Sequence, residues 1–153
     1  MFGRIRKLRE AGVVGINNRN RGYIMPRNPR RLYGLVDDKV RTKSLAMSAG
    51  IAVPELYGLI ESVHEAHQFT EHVEGRTEFV VKPAHGSGGN GIMVVTGRRR
   101  DTYIKGDGTA LSAAEVEHHI QNTLGGVYSL GGHPDQAIIE YRVKFDPVFD
   151  QVS

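Results

Sequence analysis

Residues 82–91 constrain the fold of this 153-residue chain more than any other segment. Four of these ten residues are glycine, and the flanking segments 77–84 and 91–96 are rich in β-branched and other apolar residues. Such flanks are typical of strands, and clustered glycines interrupt regular structure. The pattern predicts two antiparallel strands joined by a flexible glycine loop.

The glycine loop favours a phosphate-binding role. Gly86, Gly88 and Gly91 match G-x-G-x-x-G, but a dinucleotide site needs a helix after the glycines, and here a strand follows. No Gly-Lys-Ser/Thr closes a P-loop, and a protein kinase has its lysine after the loop, whereas Lys82 precedes it. Glycines let backbone N–H groups approach phosphate oxygens, so we interpret the loop as a flap over nucleotide phosphates. A plain glycine hairpin beside an incidental lysine is the alternative.

Helix signals lie on both sides of this hairpin. Residues 2–11 predict an amphipathic helix, and the Gly, Asn and Pro residues of 15–34 predict a loop. Asp37 is expected to cap a helix that runs to Ala49 and is stopped by Gly50. The buried candidates of that helix are Leu45, Ala46 and Met47.

Two capping boxes and three further strand signals complete the layout. Ser62 with Glu65, and Ser112 with Glu115, predict helices that run to about residues 73 and 124. Segments 55–60, 102–105 and 136–144 predict strands. The expected class is α+β, with short helices packed on an antiparallel sheet.

Composition excludes several classes of protein. The chain has no cysteine, which excludes disulfides, thiolate metal sites and cysteine nucleophiles. Its short apolar runs predict no membrane span or signal peptide, so we expect a cytoplasmic protein without a membrane partner. Residues 1–43 carry twelve lysines and arginines against three acidic residues, whereas the remainder is net acidic. A basic segment of this kind is expected to meet anions.

The histidines offer no convincing metal site. His64 and His67 are three residues apart, whereas a zinc helix needs histidines four apart. His118 and His119 are adjacent on a predicted helix and point apart. His85 borders the flap, where contact with phosphate and no role at all are both open.

In order and spacing, the combined motifs resemble the first half of an ATP-grasp enzyme, and more closely the RimK-related, alpha-L-glutamate ligase-like family. The resemblance rests on an Asp-Lys helix start, a strand ending in Lys-Pro, the glycine flap and a later Ile-Ile-Glu-Tyr strand. The segments that carry it are 15–20, 28–33, 36–39, 82–83, 86–89 and 128–132.

The resemblance implies an ATP site. Lys82 and Lys39 would meet the phosphates, and the flap residues Ser87, Gly88 and Gly89 would close over them. The adenine linker would be formed by Ile139, Glu140, Tyr141 and Val143. Glu140 would meet the adenine amino group or the ribose hydroxyls.

The resemblance also implies a reaction and its partners. ATP would phosphorylate a small-molecule or peptide carboxylate, and an amine would then form an amide. Residues 1–35 are expected to be a basic N-terminal segment, and residues 36–153 the first part of the ATP-grasp domain, without the second subdomain. The Mg²⁺ ligands are expected after Ser153. The 153 residues alone are therefore expected to bind ATP weakly, to lack turnover, and to self-associate as a homo-oligomer through exposed Phe145, Val148 and Phe149.

Two functions from other classes stay open at this point. One is a nucleic-acid-binding module that works through the basic segment, although only Tyr23 and Tyr33 offer stacking there and no RNA-binding signature is present. The other is a nucleotide-binding regulatory module without chemistry.

Overall fold

A computed structural model describes residues 2–129, 131–144 and 146. The chain divides into two compact units, Met1–Asp37 and Asp38–Ser153. The apolar residues Phe145, Val148 and Phe149, on which the expected self-association rests, lie outside the described residues. Within the described part of the chain, no helix has the length and apolar character that crossing a membrane requires.

The first unit is more helical than its sequence predicts. Helix α1 covers Phe2–Glu10, close to the predicted bounds. The prediction of a loop over 15–34 is wrong, because helical backbone covers most of it. Its helical segments are α2 (Ile16–Arg19), a π-helical stretch (Asn20–Ile24), α3 (Met25–Arg27) and a 3₁₀ helix (Arg30–Leu35).

The apparent helix breakers of the first unit occupy tolerant positions. Pro26 is the second residue of α3, directly after the π-helical stretch, and the helical run ends one residue later at Arg27. Asn28 donates its side-chain amide to the Ile24 carbonyl at 2.9 Å, at the end of the same helical run. Pro29 precedes the 3₁₀ helix rather than interrupting it. The residues are helix breakers by type, but not at these positions.

The second unit contains an antiparallel six-stranded sheet with the order β1-β6-β2-β3-β4-β5. The strands are β1 (Leu56–Ile60), β2 (Phe79–Pro83), β3 (Met93–Arg99), β4 (Thr102–Lys105), β5 (Ala110–Ser112) and β6 (Ala137–Glu140). The predicted pairing across the glycine loop is confirmed, since Phe79 faces Val95 and Val81 faces Met93. Strand β5 was not predicted.

Strand β6 is shorter than the predicted 136–144. Its ladder to both neighbours ends at Glu140, which lies opposite Leu56 of β1 and Val80 of β2. After that, the Tyr141 N–H still bonds the Glu55 carbonyl at 2.8 Å. The adenine linker expected at 139–143 therefore begins inside the sheet and continues beyond it.

Helices of the second unit follow their caps. Helix α4 (Lys39–Ser48) is capped by Asp38, which accepts from the N–H groups of Val40 and Arg41, so the predicted cap was one residue early. The capping box at Ser62 opens a 3₁₀ helix (Val63–Gln68) followed by α5 (Phe69–His72). The box at Ser112 opens α6 (Ala113–Leu124).

The buried face predicted for α4 is wrong. Leu45 is 46% exposed and Met47 is 61% exposed, and Ala46 is only partly buried. The one buried residue of α4 is Lys43, a charged residue. A pattern search for apolar positions cannot find a helix that contacts the sheet through lysines.

The core lies on one face of the sheet. Strand residues alternate, so that Phe79 and Val81 of β2 point to the side covered by α5 and α6, whereas Val80 and Lys82 point to the other. Helix α6 contributes Val116 to this core. Its other fully or almost fully buried apolar residues are Ile120 and Leu124.

Truncating the core under α6 should destabilise the unit. Ile120→Ala removes a fully buried side chain and is expected to lower the free energy of unfolding by about 2–5 kcal/mol. Val127→Ala, at a residue 65% exposed, is the control and should have little effect. Urea denaturation measures both. Equal effects of the two substitutions would show that α6 is not packed as described.

Candidate functional site

The register of β2 and β6 brings Lys82 and Glu140 together. Lys82 lies opposite Ile138, and Glu140 lies opposite Val80, so the two charged residues are diagonal neighbours on the same face. Long side chains reach across such a diagonal. The Lys82 ammonium contacts the Glu140 carboxylate at Oε1, on the sheet face away from the α6 core.

A second lysine makes this pair a buried network. The Lys43 ammonium lies 2.9 Å from Glu140 Oε2 and also donates to the Pro54 carbonyl. Glu140 is 4% exposed and Lys43 is 8% exposed. The contact between Lys43 and Oε2 is an ion pair without good hydrogen-bond alignment, so this buried oxygen accepts no well-formed hydrogen bond from the described residues. Two cations surround one carboxylate, which leaves excess positive charge at the site.

Helix α4 begins against the base of the glycine loop. The backbone N–H of Lys39 donates to the Ala84 carbonyl at 3.1 Å. Its ammonium donates to the carbonyls of Ala84 at 3.1 Å and Gly86 at 2.6 Å. Burial, and then the nearby charge of Lys82, lower the pKa of Lys39, and the carboxylates of Asp135 and Asp38 oppose the shift. The two expected phosphate lysines therefore lie close enough to repel each other, as at an anion site.

The tip of the glycine loop is open. Ser87, Gly88 and Gly89 are exposed. Gly88 (φ 64°) and Gly89 (φ 79°) adopt left-handed backbone conformations, and no atom lies within 4 Å of the place that a Cβ would occupy. Exposed backbone N–H groups in such conformations form concavities that bind anions. The three expected flap residues thus form an unobstructed loop beside Lys39.

The far end of the flap is fixed by an aromatic contact. His119 Nε2 donates to the Gly91 carbonyl at 2.9 Å, and its Nδ1 lies 3.3 Å from the Tyr128 hydroxyl. A Cβ on Gly91 (φ 77°) would lie 2.4 Å from the Tyr128 ring, so only glycine fits. Burial lowers the pKa of His119, which keeps the ring neutral. Gly91 is therefore attached to α6, whereas the tip of the loop is exposed.

A cleft of about 480 Å³ lies beside the Lys82–Glu140 pair. Its apolar walls include Val80 and Val94, and the segment after β6 supplies Tyr141 and Val143. Ile139 was also expected at this site, but its side chain packs in the core on the opposite face. A cleft lined by apolar side chains together with the charged Lys82 and Glu140 suits a nucleoside phosphate.

Three groups at the site were missed by sequence reasoning. They are Lys43, the Asp135 partner of His85, and the His119–Tyr128 anchor. One signal was available, because Lys39 and Lys43 are four residues apart and so share a helix face. The other two depend on contacts between distant segments.

Comparison with known proteins identifies the family. A family model described as sugar-transfer associated ATP-grasp matches residues 18–153. The chain belongs to this sugar-transfer associated ATP-grasp family. No curated protein and no solved structure matched the chain.

Membership of the ATP-grasp family establishes the general class. ATP-grasp proteins are generally ATP-dependent, ligase-type enzymes that bind ATP with Mg²⁺, so ATP is the nucleotide implied for this chain. Across residues 2–129, 131–144 and 146, no group of three or more His, Asp or Glu side chains lies close enough to hold a metal ion.

Removing Lys43 should expose the cost of burying Glu140. Lys43→Met leaves the carboxylate with one partner, and we expect a loss of about 3 kcal/mol or more in the free energy of unfolding. Lys105→Met breaks only an exposed pair with Asp107 and should change stability little. Denaturant melts of both variants measure the difference. A tolerated Lys43→Met would mean that Lys82 alone compensates Glu140.

The His119 anchor predicts how stability depends on pH. The folded pKa lies below the unfolded value of about 6.5, so the unfolded chain takes up a proton first. Stability should therefore be full above about pH 6.5 and decline as pH falls towards the folded pKa. His119→Gln should flatten this decline, and His118→Gln, at the exposed neighbour, should not. Thermal melts from pH 8 to pH 5 test it, and identical profiles for the two variants would contradict it.

Proposed function

We propose that the cleft beside Lys82 and Glu140 binds ATP. The base would lie between Val80 and Val94 on one side and the 141–143 segment on the other. The observation that carries this proposal is the ion pair of Lys82 with buried Glu140. The pair lies on the same sheet face as the cleft, and Lys82 is in the strand that leads into the flap. This arrangement supports a nucleotide whose phosphates contact the lysines and whose base packs in the apolar cleft.

The electrostatics of the two expected lysines support the same orientation. Lys39 is a partly desolvated cation that is repelled by Lys82, so a polyanion between them would relieve the repulsion. Both ammonium groups currently bond protein oxygens, namely backbone carbonyls for Lys39 and Glu140 for Lys82. We infer that phosphate oxygens share these donors when ATP binds, while Ser87, Gly88 and Gly89 close over them.

Glu140 has a different role in this proposal from the one first expected. Its two oxygens face Lys82 and Lys43, and the residue is 4% exposed. It therefore holds Lys82 in position, and the adenine contacts fall to the backbone and apolar surface of Tyr141 and Val143. Hydrogen bonding to the 6-amino group would then select adenine through main-chain carbonyls.

The reaction we propose is carboxylate–amine ligation through an acylphosphate. A carboxylate oxygen attacks the γ-phosphorus, the bond to the β–γ bridging oxygen breaks, and ADP leaves. An amine nitrogen then attacks the carbonyl carbon, phosphate leaves with the bonding electrons, and the nitrogen loses a proton to give the amide. The lysines at the cleft would bind and orient the triphosphate for the first attack.

The substrates follow from two sources. The RimK-related resemblance of the motifs supports glutamate, or a peptide that ends in glutamate, as one substrate. The description of the matched family, sugar-transfer associated, favours a sugar-linked molecule as the other substrate. Formation of a hydroxamate from ATP, glutamate and hydroxylamine by the full-length protein would reveal the acylphosphate. Absence of hydroxamate with every carboxylate offered would refute ligation.

Replacing Lys82 should separate this proposal from a nucleic-acid role. Lys82→Ala also removes a cation from buried Glu140, so it is assayed once circular dichroism shows that it is folded. We expect it to weaken ATP binding at least about tenfold, because a charge-assisted contact to phosphate is lost. Lys105→Ala is the matched control, since Lys105 lies opposite Val95 on the face away from the cleft. Competition of ATP against a fluorescent ATP analogue measures both. Unchanged ATP binding by Lys82→Ala, with RNA bound through the basic residues, would favour the nucleic-acid module.

A further inference from the structure

We propose that His85 is an anion-binding residue of the same site, which contacts the ATP polyphosphate through Nε2 and takes up a proton as ATP binds. This inference rests on the proposed function. It adds a proton-linked contact that neither the family match nor the motifs assign.

The imidazole of His85 is held by a buried carboxylate. The Asp135 side chain is 0% exposed and lies 2.7 Å from His85 Nδ1. Its two oxygens also accept the His85 backbone N–H at 3.1 and 3.0 Å. An ionised carboxylate only accepts hydrogen bonds, so Nδ1 is the donor in this contact. The contact fixes the orientation of the ring, and Nε2 is not engaged by Asp135.

The backbone on both sides of His85 is fixed as well. Lys39 donates to the carbonyls of Ala84 and Gly86, which flank it. The His85 side chain nevertheless remains 46% exposed. It is thus an immobilised but accessible ring, a costly arrangement for a residue without a ligand.

Two carboxylates face the ring of His85. Asp135 bonds Nδ1, and the Asp38 carboxylate lies 3.9 Å from Nε2. The cations Lys39 and Lys82 lie on the neighbouring elements α4 and β2. A triphosphate at the flap would neutralise those cations and add negative charge near Nε2, so ATP and the proton should bind cooperatively.

The position of His85 in the chain also favours a contact with phosphate. His85 follows Lys82 by three residues and precedes Ser87 by two, between the proposed phosphate lysine and the flap. Histidine changes charge between about pH 5 and 8, so the contact would strengthen ATP binding towards the acidic end of that range.

The test compares ATP binding by wild type, His85→Asn and the control His64→Asn, which changes an exposed histidine of the 3₁₀ helix. Calorimetry at pH 6 and pH 8, in buffers of different ionisation enthalpy, gives both affinity and protons taken up. We expect His85→Asn to lose about tenfold in affinity at pH 6, less at pH 8, and most of the proton uptake. The terminal phosphate of ATP also titrates, but it contributes equally to all three proteins.

Two failures are distinguishable in this experiment. If wild type binds ATP and Lys82→Ala abolishes binding, but His85→Asn keeps the wild-type affinity and proton uptake, this inference is wrong and the ATP site stands. If wild type does not bind ATP, both fall. Should His85→Asn not fold, NMR titration of the wild-type imidazoles replaces it. An ATP-induced shift towards the imidazolium at His85 supports the proposal, and an unchanged His85 signal refutes it.

Discussion

The burial of the Glu140 carboxylate determines much of the second unit. A carboxylate that is 4% exposed must be compensated by cations, and it is, by Lys43 from α4 and Lys82 from β2. This requirement explains why α4 contacts the sheet through lysine while Leu45 and Met47 remain exposed. Helix α4, the paired strands β6 and β2, and the cleft are therefore linked through one charged group.

The same network prepares the cleft for a polyanion. Each lysine near the flap already bonds an oxygen, so its ammonium group is oriented before a ligand arrives, and little reorganisation is needed. Burial of Lys39 and its repulsion by Lys82 make the two positive charges unfavourable until an anion binds in the cleft. The glycine tip stays open beside them, while Gly91 is tied to α6 through His119. In our proposal, the oriented lysines bind the phosphates and the exposed tip of the glycine loop closes over them.

Local signals in the sequence predicted much of this. The glycine loop between two strands, both capping boxes and the α+β class follow from side-chain periodicity and helix-cap chemistry, which act over a few residues. The helical run at Ile16–Arg27 was not predicted, because its Gly, Asn and Pro residues usually break helices but do not do so at these positions. Asp135 and Tyr128 were missed because they contact His85 and Gly91, which are distant in sequence. The spacing of Lys43 from Lys39 was a usable signal, but its partner Glu140 lies far along the chain.

The central claim is that ATP occupies the cleft between the flap and the segment after β6. Hydrogen–deuterium exchange with and without ATP tests it most directly, because it reports both sides of the cleft at once. The account predicts that ATP slows exchange in residues 84–91 and 141–144, and leaves the exposed turn at 99–101, which does not line the cleft, unchanged. Protection confined to residues 1–37, or none anywhere, would contradict it.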